Sequence, residues 1–168
     1  MSDEYSGLIG AFPYAFRRSD SLLFRAYALV GGLLAAVLAV FFLLALIRAI
    51  ASTATLQGGT ITFVRSIFVV FGFLVVAPIV APILFVARRH RREGSDTNYD
   101  AALAVAGVFY VFTVFLGGVA STPPEFRSDV TGPSRPVVEA LYAMPEALSW
   151  TIPLAGAVLV YLVHRRFR

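Results

Sequence analysis

The 168-residue chain contains no cysteine and no lysine. Without a thiol it forms no disulfide, no thiolate metal site and no cysteine nucleophile. All fourteen Lys+Arg positions are therefore arginines. Charge is scarce in general: 14% of residues are charged and 58% are hydrophobic, with a mean hydropathy of +0.79. A soluble domain is roughly 45–50% apolar, so this composition excludes an ordinary soluble domain and points to a small integral membrane protein. The arginines flank apolar runs, where a bilayer accounts for them, and nucleic-acid binding is not expected.

A further absence bears on function. No Asp, Glu, Arg or His lies in the middle of any long apolar run. Proton relays and charged-substrate pockets place such groups at membrane depth, so a proton-coupled transporter is disfavoured. There is also no G-x-S-x-G elbow, no Gly-rich phosphate loop and no pair of intramembrane carboxylates. The expected protein is not an enzyme and holds no cofactor.

What the chain does have is four apolar runs. Crossing about 30 Å of hydrocarbon takes roughly 20 residues at 1.5 Å each. Residues 26–47, 63–87 and 101–120 reach that length. The fourth run, Leu148–Val163, reaches it when begun at Pro145, because a first-turn proline sacrifices no helical hydrogen bond. The expected fold is all-α: one membrane domain, an integral four-helix bundle with spans at 26–47, 63–87, 101–120 and 145–163. Residues 1–25 precede it, 88–100 form a basic loop, 121–144 an extracytoplasmic loop and 164–168 a basic tail.

Arginine placement gives the direction. The N-terminal segment, the 88–100 loop and the tail carry ten of the fourteen arginines, so both termini are expected in the cytoplasm and the chain in the cell membrane. Tyr27, Tyr99 and Tyr161 then fall near the inner boundary, and Tyr142 and Trp150 near the outer one, as amphipathic rings do. A signal peptide ending at "AIAS" (Ala49–Ser52) is the rival for the first run, but about 22 apolar residues exceed the 7–15 of a signal's hydrophobic core. The segment "SGLIGAFPYAFRRSDS" reads either as an amphipathic stretch on the membrane surface or as a loose tail ending in a Ser19–Asp20–Ser21 helix cap.

Pro78 and Pro82 interrupt the second run. Each removes an N–H, which frees the carbonyls of Leu74 and Pro78 and is expected to kink the helix. Freed carbonyls in hydrocarbon need partners, so that face should point at neighbouring helices or a polar cavity. Tyr110 and Thr113, three residues apart on the third span, are the polar groups at similar depth; they either hydrogen-bond to a neighbouring helix or line a pathway. Gly31, Gly32, Ala35 and Ala36 on the first span, and Gly107, Gly117 and Gly118 on the third, let helix backbones approach closely, within the bundle or in a homo-oligomer.

At the inner boundary "ARRHRRE" puts Arg88, Arg89, Arg91 and Arg92 where they mark topology and contact anionic headgroups or an acidic partner. His90 and His164, each beside arginines, are poor candidates for a bis-histidine site, and neither has a carboxylate at helical spacing. Asp96 and Asp100 are more often helix caps than a cation site.

A lysine-free, cysteine-free, Ala/Val-rich chain with acidic Ser/Thr-bearing loops resembles the small multi-pass membrane proteins of halophilic archaea and other high-GC prokaryotes. The resemblance is one of style and implies no site residues. The function expected is that of a non-catalytic accessory or scaffold subunit acting on a membrane-protein partner. A small oligomeric permease or channel subunit is the alternative.

Overall fold

The computed structural model describes residues 7–53, 59–94 and 96–167. Expectations placed on residues 1–6, 54–58, Ser95 and Arg168 lie outside them. Among the described residues the chain is all-helical: α1 (Gly7–Arg18), α2 (Leu22–Ser52), α3 (Gly59–Arg92), α4 (Thr97–Ala120), α5 (Arg135–Ala143) and α6 (Thr151–Phe167), with 3-10 turns at Pro124–Phe126 and Glu146–Leu148. Four stretches are long and apolar enough to cross a membrane: Leu22–Ser52, Arg65–Arg92, Thr97–Ala120 and Glu146–Phe167.

Each helix starts where local chemistry allows. Ser21, in extended backbone, accepts the Phe24 N–H on its hydroxyl (3.2 Å) and opens α2. Asp96 accepts the N–H groups of Asn98 (3.0 Å) and Tyr99 (3.1 Å) and opens α4. Such caps satisfy donors that the first turn leaves without a partner. The fourth span differs from the sequence reading. Pro145 precedes a 3-10 turn, and the α-helix begins only at Thr151 with Pro153 in its first turn.

The N-terminal segment, over its described residues, is a helix docked on the bundle and not a loose tail. It forms α1, whose Ala11 and Ala15 are wholly buried against α3, and its Phe12 ring lies over Gly32 of α2. Two small residues four apart give α1 a flat face that packs closely on its neighbours.

α4 is the centre of the bundle and touches α2, α3, α5 and α6. Of its candidate span window 39% is buried, against 11% for α2. Gly107 explains how α2 reaches it: a Cβ there would fall on the Tyr27 ring, closer than side chains pack. Gly156 admits Thr113 in the same way, and Gly117 lies against Pro153. Gly31 and Ala35 are buried on the inner face of α2. Ala36 and Gly118 are not part of this packing. Each lies one residue, about 100° of helix rotation, past a buried neighbour and is exposed. Tyr27 and Tyr99 are buried within the bundle, 5% and 0% exposed.

Candidate functional site

Polar side chains gather at two levels. The first is the proline region of α3, which stays helical through both Pro78 and Pro82. The Leu74 carbonyl, deprived of its helical donor by Pro78, accepts the Tyr110 hydroxyl at 3.0 Å, and the same hydroxyl lies 3.1 Å from the Val75 carbonyl. From the other side Tyr27 of α2 donates to the Ile79 carbonyl at 2.6 Å. Two tyrosines from two helices thus bond to α3 beside its prolines, Tyr110 at a carbonyl that a proline frees and Tyr27 at one that keeps its helical donor. Thr113 does not join them; its hydroxyl donates to the Tyr110 carbonyl in its own helix (2.7 Å). Tyr27 is the member of this arrangement that the sequence did not single out.

The second level is the arginine-rich end, where the α1–α2 turn, the end of α3, the start of α4 and the end of α6 meet. Asp100 is wholly buried there. Its carboxylate accepts the Ser19 hydroxyl at 2.5 Å and lies 2.9–3.0 Å from His90 Nε2. Ser19 is buried too, and the His90 side chain is only 2% exposed. Ser19 also accepts the Ser21 N–H on Oγ (3.2 Å) and the Arg25 Nε–H on its carbonyl (2.8 Å). A buried carboxylate persists only with partners, and here the α1–α2 turn and α3 supply them.

Beside this cluster lies a second knot. Arg89 donates to the Phe167 carbonyl (2.6 Å) and to Asp96 Oδ2 (3.1 Å), approaches Glu93 (3.6 Å), and covers the Tyr99 ring at 4.2 Å. The Tyr99 hydroxyl is 2.6 Å from His164 Nδ1, and the His164 ring stacks on Phe85 at 4.0 Å and 13°.

These contacts correct the sequence reading of the two histidines and two aspartates. His90 does have a carboxylate, supplied across the bundle by α4 and not along its own helix. Asp96 caps α4 as expected, whereas Asp100 turns inward. His90 and His164 belong to separate knots, and no group of three or more His, Cys, Asp or Glu able to hold a metal occurs among the described residues. The signal available in the sequence was the second aspartate: one carboxylate caps a helix, and Asp100, a turn further on, is left for another task.

The order Ser19–Asp100–His90 also limits the chemistry. The carboxylate stands between hydroxyl and imidazole, so the imidazole does not lie against the serine as it does in a Ser-His-Asp triad.

The four arginines of the basic run separate in space. Arg89 is half-buried and bound, while Arg88, Arg91 and Arg92 are exposed. Arg88, Arg89 and Arg92 line a small cavity of about 80 Å³ with Phe85, Tyr99 and His164. On the other side of α3 an apolar groove of about 390 Å³ opens between α2 and α3, lined by residues including Phe42, Leu46, Gly72 and Val76.

No curated protein and no solved structure matches the chain. A family model described as a domain of unknown function, DUF8056, matches residues 1–168, and the chain belongs to that family.

Proposed function

We propose that the chain is a non-catalytic multi-pass protein of the cell membrane that serves as an accessory or scaffold subunit of a membrane assembly. In this reading the arginine-rich end faces the cytoplasm, and the second span is bent at Pro78 and Pro82. The observation that carries it is the outer part of α2. From Ala36 to Ser52 no residue of α2 is buried, and Val37, Val40, Phe41, Leu44 and Ile47 are among the exposed side chains. Lipid solvates such a face well, so exposure alone decides nothing. The groove beside it weighs more, because helices associate in lipid through close packing, and α2 and α3 leave about 390 Å³ unfilled. A helix from a partner would occupy that space.

The alternative, a permease or channel subunit, needs polar groups at depth that face a pathway. Tyr27 and Tyr110 are bonded to α3 carbonyls and Thr113 to its own helix. That engagement favours the accessory reading.

The test is purification in mild detergent followed by mass spectrometry. A stoichiometric unrelated membrane protein is the expected result, and Ala39→Trp, which fills the groove, should release it. A homo-oligomer that conducts ions or solutes in liposomes would overturn the proposal.

A further inference from the structure

We infer that the cavity between the ends of α3 and α6 is a phosphate site, with Arg88 and Arg92 as its anion-binding residues. The inference goes beyond the accessory role, but its lipid arm rests on reading the four helices as membrane spans. Arg88 and Arg92 are one helical turn apart on α3, so their guanidinium groups reach a common point. Both line the cavity, and both are exposed with no side-chain partner among the described residues. Their neighbour Arg89 lines the same cavity but is held by Asp96, Glu93 and the Phe167 carbonyl. It forms the wall and leaves the two outer arginines for a ligand.

Charge and size agree on the ligand class. Two helix C-termini meet here, each carrying about half a negative charge, which by itself repels an anion. The last turns carry Arg91 and Arg92 on α3 and Arg165 and Arg166 on α6, which more than offset this and the single acid of the cavity wall, Glu93. A volume of about 80 Å³ accommodates one compact group and not a whole nucleotide or sugar. Arginine forks match phosphate oxygens bidentately.

Two sources share this chemistry, a phospholipid headgroup and a soluble phosphate ester. No residue of α3 from 78 to 87 is exposed, so α3 itself offers no exposed apolar track from mid-helix to the arginines. A phospholipid would place its headgroup phosphate in the cavity and its chains in the surrounding bilayer, whereas a soluble phosphate ester would use the cavity alone.

The full-length protein in mild detergent is titrated with phosphatidylglycerol or phosphatidylcholine and followed by native mass spectrometry, with inorganic phosphate as competitor. One saturable phosphatidylglycerol is expected, and R88Q/R92Q should weaken it by roughly thirtyfold. R165Q/R166Q, which removes the same charge from the same end, should cost threefold or less. Displacement by millimolar inorganic phosphate assigns the site to phosphate in general, and resistance to displacement assigns it to the lipid.

Equal losses in the two double variants, equal binding of phosphatidylcholine, or no saturable binding would each overturn the inference. Because both side chains are exposed, R88Q/R92Q should keep its melting temperature in lipid-free detergent. If it does not fold, R88Q and R92Q singly should each weaken binding by about fivefold. A chain that fails to float with vesicles after an alkaline wash would sink the membrane-span reading, while the phosphate titration in detergent still reports on the cavity.

Discussion

The two ends of the bundle are held together by different means. At the arginine-rich end, hydrogen bonds join residues far apart in sequence: Ser19 to Asp100, Arg89 to Phe167, Tyr99 to His164. At the opposite end the described residues bond only locally. Arg65 reaches back 12 positions to the carbonyl and hydroxyl of Thr53, Arg127 bonds the Thr122 carbonyl, and Ser121, Ser149 and Thr151 each bond a carbonyl three residues back. The Arg65 bonds tie α3 to the end of α2, and the others finish a helix end or turn within its own segment. One end is therefore a clamp, and at the other no hydrogen bond among the described residues ties the α2–α3 pair to α4 and α6. The partner helix proposed above would meet the α2–α3 pair at this less connected end, since local openings draw on the least connected part of a fold.

The strongest way to break the comparison is to remove the clamp. Asp100→Ala leaves the buried Ser19 hydroxyl and His90 imidazole without their shared acceptor, and stranding a buried polar group costs about 1–3 kcal/mol for each of the two. Asp100→Asn keeps the shape and an acceptor and should lose less. The corresponding change at the open end, Arg65→Gln, removes hydrogen bonds at a helix terminus and should cost about 1 kcal/mol. Denaturant unfolding in detergent measures all three. Equal losses at Asp100 and Arg65 would mean that the two ends are equally fixed.

A second prediction concerns the contact that joins α2 to the centre of the bundle. Gly107→Ala places a methyl on the Tyr27 ring, and overpacking of this kind costs about 1–3 kcal/mol. Gly118→Ala meets nothing within 4 Å and should change stability by less than about 0.5 kcal/mol. Similar losses in the two variants would show that α2 does not cross α4 at Gly107.

The contrast between these glycines also shows what the sequence made legible. Four apolar runs, each about a bilayer long, were readable from composition and length alone, as was the all-helical fold. That the Leu74 carbonyl needs a partner was readable too, because a proline in an apolar helix demands one, but nothing in the sequence chose Tyr110 over Thr113 to supply it. Periodicity could not separate Gly117 from Gly118 or Ala35 from Ala36, since adjacent small residues look alike until the helix phase against its neighbours is known. Nor could it show that Tyr27 and Tyr99 turn into the bundle, or that Ser19, His90 and Asp100 converge. Those are pairings between distant segments, and no local pattern in one chain encodes them.

The smallest predicted effect tests how the clamp continues into the middle of the bundle. Tyr110→Phe removes the hydroxyl that serves the Leu74 carbonyl, and interhelical hydrogen bonds of this kind contribute about 0.6 kcal/mol in a membrane protein. Pro78→Ala acts on the same carbonyl from the other side, because it restores the N–H that the proline lacks. The two substitutions should therefore be non-additive. With proline at 78 the loss of the hydroxyl strands an acceptor; with alanine the helix satisfies that acceptor itself, and Tyr110→Phe should cost close to nothing. A double-mutant cycle read by unfolding in detergent measures the coupling. Strict additivity would place the two groups in separate accounts and remove the link between the broken helix and α4. Coupling of about 0.6 kcal/mol would show that Tyr110 replaces a backbone donor, so that α3 keeps its prolines only while it stays docked on α4. In that case the freedom of the open end stops at the tyrosines, near Leu74 on α3.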